Sequence, residues 1–148
     1  MEIRRSALIS RSATSTFDLI EAAEHYPAFL PWCAGAVILE RDSSVVAARI
    51  SIVYHGVSFD LTTRNPKRRP DWMGIQLERG PFRRFEGEWQ LRAISPEACK
   101  IELAMRYEFD RALVGRLAGR VFDGIADMLV DAFARRSEQM PTPERSTL

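Results

Sequence analysis

One segment divides this chain into two unequal parts and constrains how they fold: Tyr26-Pro27-Ala28-Phe29-Leu30-Pro31-Trp32-Cys33. It carries no charge, and six of its eight residues are prolines or bulky apolar side chains. Proline inside a helix removes a hydrogen bond and clashes with the preceding turn, so a long regular helix cannot run through it. The segment is therefore a short, bent, apolar connector, which either plugs a core or lines the mouth of an apolar cavity.

The sequence predicts one strand and one helix before this connector. Residues 2–10 alternate weakly between apolar and polar side chains, which indicates a strand. Ser12 is a suitable N-cap for a short helix that carries Phe17 and Ile20 on one side. Strand-like segments follow the connector at about 35–41, 45–54, 57–65, 72–78, 84–93 and 98–109.

The connections between these strands are short. His55-Gly56 suits a two-residue hairpin, because glycine readily takes the positive φ that such turns need. Residues 95–98 contain Ser95-Pro96 and indicate a second turn. Residues 64–70 are polar and carry two prolines, so they are predicted to form a loop.

Three of the strands alternate regularly between apolar and polar residues, which is typical of an antiparallel sheet with one buried face. Residues 111–137 carry apolar residues at helical spacing and can cover that face. The predicted stripe consists of Leu113, Leu117, Val121, Ile125, Met128 and Ala132, widened by Val114, Ala118, Phe122, Leu129 and Phe133. Asp110 is the expected N-cap of this helix. The predicted class is α+β, a curved antiparallel sheet of about seven strands around a long C-terminal helix.

Composition limits the classes of function that remain. The 148 residues make one domain, predicted at 1–139, followed by a disordered tail at 140–148. The net charge of +1 argues against recognition of nucleic acid through an overall positive field. No apolar run approaches the ~20 residues that span a bilayer, and no signal peptide is visible, so we expect a cytoplasmic protein. Cys33 and Cys99 are predicted to be buried thiols.

Candidate catalytic residues are few. His25 and His55 have no nucleophile or carboxylate beside them in sequence. No phosphate-binding loop and no spacing of metal ligands is present. Glu86 and Glu88 share a strand face, but the alternation places that face in solvent. We therefore predict neither an enzyme nor a bound metal or cofactor.

Glycines within the long helix suggest a cavity. Gly115, Gly119 and Gly124 each cost about 1 kcal/mol relative to alanine in a helix interior. Close packing against the sheet and space for a ligand are both possible reasons. The candidate cavity lining is Leu30, Trp32, Phe59, Leu61, Ile75, Leu77, Trp89, Leu103, Met105, Gly119, Val121, Phe122 and Ile125. The alternative is that all of these residues simply form a solid core.

A basic cluster is the other candidate site. It consists of Arg64, Lys67, Arg68 and Arg69. Such a loop is usually only solvated, but it can contact anionic phospholipid or the phosphates of ribosomal RNA.

Five motifs together resemble a known family. They are the connector at 26–33, Thr63-Arg64-Asn65, Gly80-Pro81-Phe82-Arg83, Gly87-Glu88-Trp89 and Gly119-Arg120-Val121-Phe122. They look like the coenzyme Q-binding START-domain proteins of the polyketide cyclase/dehydrase and lipid-transport superfamily, and the related bacterial ribosome-association toxins. The similarity runs from about residue 3 to 137.

The resemblance implies a helix-grip fold with two short helices after the first strand. It also implies an apolar tunnel that holds ubiquinone or a related isoprenoid lipid, and a non-enzymatic role as a quinone chaperone in respiration. The expected partners are then the quinone and, transiently, a membrane surface or respiratory complexes. The toxin relatives imply instead binding to the large ribosomal subunit, and other helix-grip proteins imply an aromatase/cyclase. We expect a monomer.

Overall fold

A computed structural model describes residues 1–140, without the side chains of residues 111 and 113–115. The chain forms β1 (Glu2–Ile9), α1 (Ala13–Glu21), a 3-10 helix (Ala23–Ala28), β2 (Cys33–Arg41), β3 (Val45–Tyr54), β4 (Val57–Arg68), β5 (Trp72–Arg79), β6 (Phe82–Ser95), β7 (Ala98–Phe109) and α2 (Arg111–Gln139). Apart from Met140, the predicted tail at 140–148 lies outside the described residues.

The seven strands form one antiparallel sheet in the order β1-β7-β6-β5-β4-β3-β2. Its buried face packs against α2, which confirms the predicted α+β class and curved sheet. The hairpin at His55-Gly56 is also confirmed, because both residues have positive φ, at 47° and 80°. β6 ends at Ser95 and β7 begins at Ala98, as the turn signal predicted.

The apolar connector both plugs the core and reaches a cavity. Leu30 is fully buried within the core, and Trp32 is 6% exposed. The Tyr26 hydroxyl donates a hydrogen bond to the Ile20 carbonyl, which ties the 3-10 helix back to α1. The Tyr26 ring lies edge-on to Phe133 of α2, with 5.4 Å between ring centroids. The connector therefore holds the C-terminal half of α2 against α1.

The long helix is rotated relative to the predicted stripe. Asp110 caps it as expected, accepting a hydrogen bond from the Ala112 amide. However, Leu117 is 58% exposed and Met128 41% exposed, so both predicted core positions are wrong. The buried face is centred on the residues Ala118, Phe122, Ile125, Ala126, Val130 and Phe133. In this orientation α2 packs against β1 and Asp127 forms an ion pair with Arg5, whereas periodicity alone leaves the orientation open.

The predicted loop at 64–70 is also wrong over most of its length. β4 continues to Arg68, pairing Asn65 with Val46 of β3 and Lys67 with Met73 of β5. The Lys67 side chain is only 8% exposed and forms an ion pair with Glu21 of α1. The polar composition indicated a solvated loop, but Lys67 and Arg69 instead pair with carboxylates of α1.

Candidate functional site

An apolar cavity of about 100 Å³ lies between the sheet and α2. Its lining comes from every layer of the fold: Tyr26, Trp32, Ile50, Ile52, Leu61, Thr63, Asn65, Met73, Ile75, Phe85, Trp89, Met105, Phe122, Ile125, Ala126, Leu129 and Phe133. Empty apolar cavities of ~150 Å³ remain dry and accept benzene. Drug-sized ligands generally occupy ~300–1,000 Å³. The cavity as it stands therefore suits a small ring or a short branched chain.

The structure brings seven of the predicted lining residues to this cavity and places six elsewhere. The seven are Trp32, Leu61, Ile75, Trp89, Met105, Phe122 and Ile125. Leu30 and Leu103 are fully buried in solid core, and Phe59, Leu77 and Val121 are half-buried outside the lining. Gly119 faces an outer surface instead. Alternation along a strand identifies the buried face, but it does not tell which buried residues meet empty space.

Sequence analysis missed ten lining residues. The alternation of β3 indicates Ile50 and Ile52, whereas no local pattern points to Asn65. The carboxamide oxygen Oδ1 of Asn65 is buried without a hydrogen-bond partner among the described residues. Its Nδ2 donates only a weak contact to the Met73 sulfur at 3.7 Å. An unbonded buried oxygen costs ~1–3 kcal/mol, so this atom is a polar attachment point in a mostly apolar wall.

The basic cluster is largely neutralised. Arg69 forms two hydrogen bonds with the Asp18 carboxylate, at 2.7 and 2.8 Å. Arg64 forms an ion pair with Glu40, and these partners raise the pKa of both guanidinium groups. Lys67 is buried against Glu21, as described above. Arg68 instead stacks on the Trp72 ring, with its guanidinium carbon 5.3 Å from the ring centroid. The basic cluster therefore serves mainly to link α1 and β2 to the end of β4, and it presents little unpaired charge to a binding partner.

A second depression, which we call the outer groove, has a volume of about 710 Å³. It lies between the N-terminal part of α2 and strands β6 and β7, and is lined by Met1, Arg83, Tyr107, Glu108, Phe109, Arg116, Gly119, Arg120 and Asp123. The Tyr107 hydroxyl donates to the Asp123 carboxylate. Burial, and then this hydrogen bond, raise the pKa of Tyr107 well above its usual range. Tyr107 is thus held as a neutral hydrogen-bond donor.

Other chemical features are limited within the described part of the chain. Residues 1–140 contain no group of three His, Cys, Asp or Glu side chains placed to hold a metal ion. The helices of that same part include none with the length and hydropathy needed to cross a membrane. Cys33 and Cys99 are buried free thiols, as predicted, and burial raises the pKa of each.

Comparison with known proteins identifies the family. Residues 9–134 match the family described as polyketide cyclase / dehydrase and lipid transport. The chain belongs to this family. Within it, the chain is 36% identical over 138 residues to the ribosome association toxin RatA of Pseudomonas aeruginosa, covering 93% of this chain and 96% of the relative. The Escherichia coli protein of the same name is 34% identical over 139 residues, covering 94% and 88%.

More distantly similar proteins have other names. The coenzyme Q-binding protein COQ10 homolog B of Xenopus laevis is 20% identical over 146 residues, covering 93% of this chain and 58% of the relative. The crystal structure of the Zhui aromatase/cyclase from Streptomyces superposes with a TM-score of 0.79 at 17% identity, covering 94% of each chain. At that identity the likeness shows the shared fold, as predicted, and no activity.

An aromatase/cyclase activity would require polar side chains in the cavity. Thr63 lines the cavity, whereas Tyr107 faces the outer groove. Tyr54 packs against the His55 ring at the hairpin and is not part of the lining.

Proposed function

We propose that this protein binds the large ribosomal subunit and thereby interferes with translation. The observation that carries the proposal is the similarity to the RatA proteins, which at 34–36% identity extends over more than nine-tenths of this chain. Such similarity along the whole sequence supports a shared surface as well as a shared fold. On this view the protein acts in the cytoplasm, without an enzymatic step.

The direct test is co-sedimentation of the purified protein with purified large ribosomal subunits through a sucrose cushion, over a series of salt concentrations. We expect the protein to pellet with large subunits at low salt, and translation in a cell-free system to fall as the protein is added. The protein remaining in the supernatant at every salt concentration would contradict the proposal. An equimolar amount of an unrelated protein of the same size and net charge is the control.

We also propose a second function, binding of a small apolar molecule that carries one polar group, in the cavity beneath α2. The apolar lining with a single unbonded oxygen on Asn65 supports it. The carboxamide can accept a hydrogen bond from a hydroxyl or, after rotation, donate one to a carbonyl. A quinone ring meets this description, and the COQ10 relative supports a quinone as the ligand. An isoprenoid tail would require the space to enlarge or the tail to leave it.

Tryptophan fluorescence tests the second function, because Trp32 and Trp89 line the cavity. The short quinone coenzyme Q0, which has no isoprenoid tail, is the probe, and we expect saturable quenching. Ala126→Leu adds three carbon atoms to the lining. The affinity for coenzyme Q0, measured from the quenching curve, should fall at least tenfold. Ala112→Leu, the same change at an exposed position of the same helix, is the matched control. Quenching that is linear in quinone, or equal in both variants, would contradict binding in the cavity.

A further inference from the structure

We infer that the outer groove, rather than the basic cluster at residues 64–69, is the surface that contacts ribosomal RNA phosphates. This inference rests on the proposed binding to the large subunit and identifies the residues responsible for it. Three arginines carry the inference: Arg83, Arg116 and Arg120 all line the groove and are exposed.

These arginines differ from Arg64, Lys67 and Arg69 of the basic cluster in having no carboxylate partner. No ion pair within 4.0 Å involves any of the three among the described residues. Arg64 and Arg69, in contrast, already hold carboxylates. A phosphate that approached those two would have to displace an internal anion, so the net gain would be small. The arginines of the groove can exchange mobile counterions for phosphate directly.

The placement of these charges is unfavourable without a partner. Arg116 and Arg120 are four residues apart on α2, so their side chains are neighbours on one helix face. Like charges at this spacing destabilise a helix. Arg83 faces them from the start of β6. An anion bound among the three guanidinium groups would turn this repulsion into attraction.

Two carboxylates also line the groove, and neither forms an ion pair within 4.0 Å with Arg83, Arg116 or Arg120 among the described residues. Asp123 accepts the hydrogen bond from Tyr107, which directs one of its oxygens toward the sheet. Glu108 lies on β7, across from Arg84, and Arg84 pairs with Glu86 instead. The three guanidinium groups outnumber the two carboxylates, so the groove keeps an excess of positive charge, and the planar forks of the arginines match the oxygens of a phosphate.

The shape of the groove suits a length of RNA backbone. At about 710 Å³ it is larger than the internal cavity, and it is open to solvent. Gly119 lies between the two helix arginines in sequence, and a Cβ placed there would meet only the Phe109 ring, at 4.0 Å. The absence of a side chain at this position leaves room for a sugar-phosphate segment to approach the helix.

The first experiment measures the salt dependence of binding to purified large subunits. Each arginine that contacts a phosphate contributes ~0.7 to the slope of log K against log salt for single-stranded nucleic acid. The triple variant Arg83→Gln, Arg116→Gln and Arg120→Gln should therefore lower the slope by ~2 and weaken binding at low salt at least tenfold. The matched control is the triple variant Arg41→Gln, Arg64→Gln and Arg69→Gln, because these three arginines are all ion-paired. Its slope should stay within ~0.5 of the wild-type slope.

The second experiment changes shape without changing charge. Gly119→Leu fills the floor of the groove, and Gly124→Leu makes the same change on the same helix outside the groove. Both should stabilise the helix, because leucine is a better helix former than glycine. We expect only Gly119→Leu to weaken subunit binding, and neither to alter quenching by coenzyme Q0.

The outcomes separate this inference from the proposed function. If the wild-type protein does not bind large subunits, the proposed function itself is wrong. Binding by wild type, with an unchanged slope in the groove variant, overturns the inference and leaves the function standing. Equal losses in the two triple variants would show an effect of net charge alone, which also overturns the inference. Circular dichroism and thermal unfolding of every variant exclude loss of fold as the cause.

Discussion

Replacing Asn65 with leucine should make the protein more stable. Asn65 lies in β4, where its backbone pairs with Val46, and its side chain reaches the cavity. Its buried Oδ1 lacks a hydrogen-bond partner among the described residues, at a cost of ~1–3 kcal/mol. Leucine branches at the same atom as asparagine, so its two methyl groups take the places of the carboxamide atoms. The adjoining ~100 Å³ of space accommodates their slightly larger size.

The interactions lost are small. The contact from Nδ2 to the Met73 sulfur is long, at 3.7 Å, and thioether sulfur is a weak acceptor. The expected net effect is an increase of ~1–2 kcal/mol in the free energy of unfolding. For a domain of this size, that corresponds to a Tm higher by ~3–6 °C. Urea denaturation with an unchanged m-value, together with calorimetry, measures both quantities.

Ligand binding should change in the opposite direction. Coenzyme Q0 should bind at least fivefold more weakly to Asn65→Leu, because its polar group loses the Asn65 carboxamide as a hydrogen-bond partner. Toluene, which has no polar group, should bind no more weakly than to wild type. A variant less stable than wild type by 1 kcal/mol or more would refute the reasoning, since it would mean that Oδ1 is hydrogen-bonded in the folded protein.

Three further predictions concern stability and reactivity. Gly87→Ala should lower the free energy of unfolding by ~1–3 kcal/mol, because the new Cβ would lie 2.6 Å from the Ala104 carbonyl oxygen; a neutral effect in urea denaturation would contradict this close approach. Burial raises the pKa of Tyr26 and Tyr107, so the unfolded chain loses these protons first. The free energy of unfolding should therefore be constant below pH ~10 and fall above it, by up to ~1.4 kcal/mol per pH unit for each tyrosine. A free energy of unfolding from urea denaturation that does not change above pH ~10 would contradict this prediction. The Cys99 thiol, fully buried with a raised pKa, should react with Ellman's reagent at pH 8 only after denaturation, and fast labelling of native protein would show otherwise.

Local patterns were enough to predict most of the fold. β3 and β7 begin and end at the residues that the sequence indicated. For β7 the signal was the alternation of apolar and polar residues, because strand faces follow directly from a two-residue period. The caps at Ser12 and Asp110 were also predicted from local sequence, since a cap side chain and the amide that donates to it are neighbours in sequence. The rotation of α2 could not be predicted from the sequence, because a helix with apolar residues on several sides takes its orientation from the sheet against which it packs.

The candidate sites depend on contacts between distant residues. Arg69 and Asp18 are 51 positions apart, and nothing near either of them indicates that the pair forms. The sequence therefore could predict a basic cluster, but not that most of its charge is neutralised. Arg116 and Arg120 are separated from Arg83 by more than 30 positions and meet it only because β6, β7 and α2 converge. Which charges remain unpaired is a property of the tertiary structure.

The two candidate sites are separated by a wall of aromatic rings. Phe122 lines the internal cavity, and its ring centroid lies 4.9 Å from that of Tyr107 and 5.4 Å from that of Phe109. Those two residues line the outer groove on the other side. Because Asn65 and Gly119 lie on opposite sides of this wall, substitutions at the two positions report on different functions. If Asn65→Leu changes only the affinity for coenzyme Q0, and Gly119→Leu changes only the binding of subunits, the ligand and the ribosome use different surfaces of one fold.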